Sequence, residues 1–455
     1  MASPNSEERS DGKWRSYVKK GRNKIIEIGK EVKRIGEDDP RKIAHSLKVG
    51  LALTLVSMFY YFNPLYDGFG VNAMWAVLTV VVVFEFSVGA TLGKCINRMV
   101  ATFIGSTLGI GAHRIATFSG RTGEPILIAT FVFIAAAIMT YTRFIPTLKA
   151  RYDYGLTIFI LTFCLVSVSG YRDNQVLKMA HMRVSTIIIG SCTSIIISIL
   201  IYPVWIGGDL HNLIFANIEK LGLFLEEFGR EYFKAVKDDG HAKNESSVLQ
   251  SYKSVLFSKS NEETMANLAM WEPAHGHFKF FHPWKQYLKI GSLTRECAYK
   301  IEALNNILHS HIQSDAEIRD IFAESCTKVC MECGKALKEI ACVTKKMRRS
   351  NAAAHHMLNS KAATDNIKSL LKTSQFNGAN LMEIASIVAV SMLLLDIVGN
   401  IEDIIESITE LAAMARFKIM DPTVSPEQPC LLHRGAVQPM SNSVDGKSHV
   451  ISTGE

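Results

Sequence analysis

The chain has 455 residues, enough for two or three domains, with 48% apolar residues, a formal net charge of +7 and nine cysteines. So modest a charge does not indicate a nucleic-acid partner, and Lys and Arg gathered on one side of a membrane would produce it. The cysteines form no even, spaced framework, which speaks against a disulfide-built ectodomain and fits a reducing environment for the soluble half. The mean hydropathy of +0.14 averages two unlike parts: residues 47–206 are dense in apolar runs, whereas 207–455 read as soluble helices.

The opening segment Lys13–Lys48 carries twelve Lys or Arg and sets Ile25, Ile28, Val32 and Ile35 at helical spacing. A basic amphipathic helix at a membrane surface and a helix packed on a soluble domain both fit that pattern. The first apolar run starts near Leu47 behind this charged segment, without the small-residue cleavage site of a secretory leader. Six runs then follow: Leu47–Phe62, ended by Asn63-Pro64, then Val71–Ala90, Arg98–Ala112, Pro125–Tyr141, Tyr154–Gly170 and Arg183–Ile206. Several are shorter than the ~20 residues a lipid-facing span needs. Short spans broken by polar residues are tolerated where those groups face a protein-lined pathway.

With the N-terminus inside, the loops at 91–98 and 143–153 are also inside, giving seventeen basic residues there against five outside. That asymmetry predicts both termini in the cytosol. Beyond Gly207-Gly208, amphipathic helices are predicted near 210–238, 245–270, 285–312, 315–348, 355–373 and 379–418. The apolar stretch Ile384–Leu395 lies between Glu383 and Asp396 and is too short to span, so a buried helix is expected. From Asp421 onward periodicity disappears, and the tail is expected to be disordered. The predicted organisation is a basic segment over 1–46, a six-helix membrane domain over 47–206, a cytosolic helical domain over 207–420 and a tail over 421–455. The fold class is all-α.

Two motifs invite chemistry. Cys326, Cys330 and Cys333 have C-x3-C-x2-C spacing, but on a helix they share one face, where buried cysteine behaves as a small hydrophobe. His275, His277 and His282 crowd one short loop, offering either a zinc site or, with Phe278, Phe280, Phe281 and Trp284, a packed connector. A phosphate-binding GxxxxGK[ST] loop is absent, and Gly109 and Gly111 are too few for a dinucleotide fingerprint. No enzyme, cofactor or metal site is expected.

Cations at the span ends are more informative. Lys94 and Arg98 lie on the inner side, and Arg172, Lys178 and Arg183 on the outer, against the usual bias. Fixed cations can line an anion pathway, and Arg matches a carboxylate with both arms of its fork. They can equally reach lipid headgroups or pair with a local acid such as Asp173. Glu85 is either a gate or sensor or the structural partner of Lys94 or Arg98. His181 offers a pH-sensitive group or a plain hydrogen bond.

Three stretches carry a resemblance: DPRKIAHSLKVGLALTLVSMFYYFNPLYDGFGVNAMWAVLTVVVVFEFSVGATLGKCINR from Asp39 to Arg98, KARYDYGLTIFILTFCLVSVSGYR from Lys149 to Arg172, and WEPAHGHFKFFHPW from Trp271 to Trp284. They resemble the plant aluminium-activated malate transporter family over roughly residues 35–420. The resemblance implies a homodimeric anion channel with six membrane helices and a cytosolic helical domain in each subunit. It also implies passage of malate and inorganic anions along a pathway lined by Arg98 and Arg183, with Lys94 and Arg172 at the mouths. Members gated by external Al³⁺ are thought to use acids on outer loops. Here those acids are Asp67, Glu124 and Asp173, while Asn174 and Lys178 stand where such members are more acidic, which puts Al³⁺ activation in doubt. The plasma membrane is expected, with the vacuolar membrane as the alternative. A coupled carrier of the aromatic-acid-exporter type is the competing function, and a membrane anchor for an interaction module is a third.

Overall fold

The computed structural model describes residues 7–62, 74–169, 176–232, 250–308, 316–373 and 381–419. Asp67, Arg172, Asp173, Asn174 and the tail from 421 lie outside them. The described residues form helices almost throughout, in two bundles in contact.

The first bundle follows a long amphipathic helix, α1 (Glu7–Asp38). Helix α2 (Pro40–Tyr61) starts where Asp39 accepts the amide of Arg41 through its side chain and Pro40 takes the first helical position. It ends at Tyr61, where the capping residue Phe62 turns to extended backbone while its amide still donates to Met58 O at 3.1 Å. Next come α3 (Met74–Val83), α4 (Val88–Thr117), α5 (Gly120–Thr142), α6 (Pro146–Ser169) and α7 (Val176–Leu200). Leu47, Leu51, Leu55 and Met58 on α2, and Ile126, Phe133 and Ile138 on α5, are exposed apolar side chains. Within a water-soluble protein such stripes would be costly; in hydrocarbon they are the favourable face.

The expected second and third runs are corrected. The run Val71–Ala90 is not one helix: α3 has ten residues, the chain leaves the helix at Phe84–Ser87, and Val88–Ala90 already belong to α4. Local side-chain bonds cause the break. Ser87 caps the amide of Ala90, and Thr91 Oγ1 accepts the amide of Glu85 at 3.0 Å. Helix α4 therefore starts ten residues before Arg98, and α6 starts at Pro146. Lys94, Arg98, Lys149 and Arg151, counted above as loop cations, are helical.

Two close helix contacts set the bundle. A Cβ on Gly105 would meet Phe159 O at 3.2 Å, and one on Gly109 would meet Val166 at 3.0 Å, so this small-xxx-small pair seats α4 on α6. At Gly190 a Cβ would lie 2.7 Å from Ala76 O, which seats α7 on α3.

The second bundle comprises α8 (Ile206–Tyr232), α9 (Lys253–Leu256), α10 (Lys259–Ala269), α11 (Trp284–Leu308), α12 (Ala316–Lys345), α13 (Ala352–Thr373) and α14 (Leu381–Met414). Its core includes Phe215 and Phe224 of α8, Ile301 of α11, Leu337 of α12, Ile367 of α13 and Ile397 of α14. Strands β1 (Arg348–Arg349) and β2 (Lys418–Ile419) pair in parallel beside it. The expected helix over 245–270 is broken: residues 245–249 lie outside the described set, and α9 and α10 are separated at Phe257-Ser258. There the Ser258 hydroxyl donates to Val255 O at 2.7 Å and also bonds the Glu262 carboxylate at 2.6 Å.

Among the described residues, five helical segments are long and apolar enough to cross a membrane: Pro40–Phe59, Thr122–Thr142, Pro146–Ser169, His181–Leu200 and Ala385–Met414. The last lies in α14, whose Ile387, Val390, Leu394 and Ile397 are buried in the second core. Helix α4 carries too many polar groups to be counted with them.

The bundles are joined at several points. Val88 N donates to Val204 O at 3.1 Å, and Arg41 Nη1 donates to Asp209 Oδ2 at 2.9 Å. Gly89 has no room for a Cβ against Leu268 O, and a Cβ on Gly93 would meet the Trp271 ring at 3.0 Å.

Candidate functional site

Arg98 sits ten residues into α4 with 5% of its surface exposed. Its Nη1 donates to the Tyr154 hydroxyl of α6 at 3.0 Å, while its buried Nε has no partner among the described residues. Thr102 and Ser106 follow at four-residue spacing, hence on the same face, and their buried hydroxyls also lack described partners. So do Ser167 of α6 and Ser191 and Ser198 of α7.

Arg183, on α7, lies with its guanidinium 4.1 Å from the ring centroid of Trp75 on α3, a cation–π contact. Neither Arg98 nor Arg183 belongs to an ion pair among the described residues. Keeping two like charges in a half-dry interior is costly unless an anion or water compensates them. Guanidinium groups and rotatable hydroxyls are the kind of donors that carboxylate or inorganic anions accept from.

Lys94 instead pairs with Glu85, and its Nζ lies 5.5 Å from the Tyr154 ring centroid. Glu85 thus neutralises a lysine one turn before Arg98. His181 is exposed on α7, and two residues of helix turn it away from Arg183. Glu124 sits 3.7 Å from His113 Nδ1. The structure brings Arg98, Lys94 and Glu85 into one neighbourhood through Tyr154, with Arg183 across the bundle.

Sequence reasoning missed three participants. Lys48 is 1% exposed on α2, donating to Tyr202 O at 3.3 Å. Its flanks Leu47 and Val49 were the available signal, but counting it in the basic segment hid it. Trp75 and Tyr154, which hold the two arginines, lay in the runs as ordinary span-end aromatics.

The second cluster lies at the bundle join. Glu272 accepts the amides of Ile206 at 2.6 Å and Gly207 at 3.1 Å, holding the start of α8, and burial pushes its carboxyl up to about 7. His275 stacks on Trp205 with centroids 3.8 Å apart, and its Nδ1 bonds Pro273 O at 2.9 Å. His282 bonds the Tyr287 hydroxyl. His277 is exposed, so the three histidines do not converge on a point. The cysteines of α12 are core: Cys333 Sγ contacts Ser360 Oγ at 3.1 Å, and burial pushes the Cys326 and Cys333 thiols up to about 12. Among the described residues no cluster of three or more His, Cys, Asp or Glu could hold a metal ion.

Apolar helices of spanning length around buried cations define a multi-pass helical membrane protein. Residues 33–384 match the family model described as "Aluminium activated malate transporter". The chain is 49% identical over 433 residues to Aluminum-activated malate transporter 2 of Arabidopsis thaliana, covering 94% of this chain and 85% of that one. It is 47% identical to Aluminum-activated malate transporter 1 of the same plant, covering 94% and 88% of the two chains. To Aluminum-activated malate transporter 1 of Triticum aestivum it is 40% identical, covering 87% of each. The chain belongs to the aluminium-activated malate transporter family.

Proposed function

We propose that this protein is an anion channel that lets malate, and inorganic anions with it, leave the cell passively across the plasma membrane. In this reading the first bundle conducts as six spans, the second bundle is cytosolic with both termini, and two chains form the working unit. Arg98 and Arg183 line the pathway, with Lys94 and Arg172 at its mouths, and Lys48 joins them. The observation that carries the reading is that Arg98 and Arg183, two cations in one bundle, rest on Tyr154 and Trp75 without described acidic partners, with buried unpartnered hydroxyls following Arg98 along its helix face. An anion beside them compensates their charge, and their donors replace part of its lost hydration. Malate carries two charges, and each is driven outward by about 2.3 kcal/mol per 100 mV of inside-negative potential.

Two-electrode voltage clamp of oocytes loaded with malate tests this. Wild type should give large inward current, meaning anion efflux. Arg183→Ala should cut it about tenfold or more, the scale of one lost charge-assisted donor at about 1.5–3 kcal/mol, with surface expression unchanged. Undiminished current in that variant would remove Arg183 from the pathway. The same recording with and without external Al³⁺ at acidic pH reads whether Al³⁺ is an activator. Single-channel steps in excised patches separate the channel from a coupled carrier.

A further inference from the structure

A cleft of about 790 Å³ lies at the join of the bundles, apart from the arginine pair. On one side are Leu92 and Ile96 of α4, both half-buried. They begin a stripe that continues at helical spacing through Val100 and Phe103, which are exposed on the face of the membrane bundle. Arg151 of α6 points its guanidinium at the Trp271 ring, 5.6 Å from the centroid. Among the described residues its Nη2 bonds the Met270 sulfur at 3.0 Å, and its buried Nε has no partner. Lys279 and Lys285 complete the rim, both exposed. Among the described residues none of the three cations is in an ion pair. The one acid among the described lining residues, Glu272, is committed to the amides of Ile206 and Gly207. Between the two lysines, Phe280 and Phe281 stand out from the surface; Phe281 is fully exposed, with φ of +58° in the left-handed region that a phenylalanine rarely adopts.

We infer that this cleft binds an anionic phospholipid, its phosphate among Arg151, Lys279 and Lys285 and its acyl chain along Leu92, Ile96, Val100 and Phe103. Three cations without described ion-pair partners call for an anion, and an apolar stripe running from the cleft onto the membrane face calls for hydrocarbon joined to it. A small soluble anion would satisfy the cations and leave the stripe unused. Phe280 and Phe281, costly in water, are at home in the interfacial layer beside the lysines. The lipid thereby touches α4, the helix that carries Arg98, and the loop that fastens α8. Only the choice of leaflet rests on the topology proposed above.

The test uses the full chain in nanodiscs doped with phosphatidylserine or phosphatidylcholine carrying a photoactivatable acyl chain, with labelled peptides mapped. The same lipid is present on both faces, so orientation does not matter. Phosphatidylserine should label residues 92–104 and 279–285 about fivefold or more above phosphatidylcholine, the effect of roughly one basic residue facing anionic lipid. The double variant K279E/K285E, altered only at exposed side chains, should abolish that preference. Equal labelling by the two lipids, displacement by soluble glycerophosphoserine, or cross-linking of the loop to a second copy of the chain would each overturn the inference. Labelling requires no conduction, so a preparation that labels as expected but passes no anion refutes the channel and leaves the lipid site standing.

Discussion

At the join of the bundles, His211 Nδ1 and His282 Nε2 bond one Tyr287 hydroxyl, at 2.9 and 3.1 Å. Burial holds both imidazoles down to about 4, so they are neutral at pH 7. The unfolded chain binds protons there from about 6.5, before the folded protein does. Stability from these groups is therefore complete above that pH and is lost on acidification toward 4, by of order 3 kcal/mol for one buried histidine. Glu272 has the opposite sign. Its carboxyl, raised to about 7, takes up its proton in the folded protein first, adding stability as pH falls from 7 toward 4.5. Glu272→Gln should thus make acid destabilisation steeper between pH 7 and 4.5, read as the shift of thermal midpoint with pH in detergent. The types of these residues were legible in the motif WEPAHGHFKFFHPW, but their roles were not. Crowded histidines beside so many aromatics read as a packed connector sooner than as ligands, but its partners, some 60 to 80 residues away at Trp205 and His211, could not be named from the motif.

Helix contacts decide which glycines matter. A Cβ on Gly190 would lie 2.7 Å from Ala76 O, while one on Gly111 would meet nothing within 4 Å. Gly190→Ala should lower the thermal stability of the solubilised protein by about 1–3 kcal/mol through overpacking. Gly111→Ala should instead leave it unchanged or raise it by about 0.5–1 kcal/mol through helix propensity. Most elements were legible from periodicity: the expected helices at 285–312, 315–348 and 355–373 appear as α11, α12 and α13. The α3–α4 break was not legible, because Val71–Ala90 is largely apolar and Glu85 is its one charged residue. What interrupts it is the bonding of Ser87 and Thr91 to backbone amides, a local competition that a hydropathy pattern does not register.

On the scale of the whole molecule, exposure has two meanings, facing lipid or facing water. Phe133 of α5 and Met392 of α14 are both exposed apolar residues on helices of spanning length. In the proposed topology the first faces hydrocarbon and the second faces cytosol. Met392→Cys should therefore react with a membrane-impermeant maleimide in opened vesicles, and Phe133→Cys should not. Protection of both would place α14 in the bilayer and remove the cytosolic bundle. Length and composition alone cannot separate these helices. The acids Glu383 and Asp396 flanking Ile384–Leu395 were the signal that α14 is built for a protein core, and its buried Ile387, Val390 and Leu394 are that core.

The position of α14 in the chain also bears on synthesis. An apolar helix of this length resembles a membrane anchor to the insertion machinery, which weighs segments largely by the hydrophobicity of their middle. Helix α14 leaves the ribosome after α8 to α13, so in the proposed topology its partners are already made when it appears. Chain order lets it enter a waiting groove instead of the bilayer. Moving α14 ahead of α8 would offer it to that machinery before its partners exist.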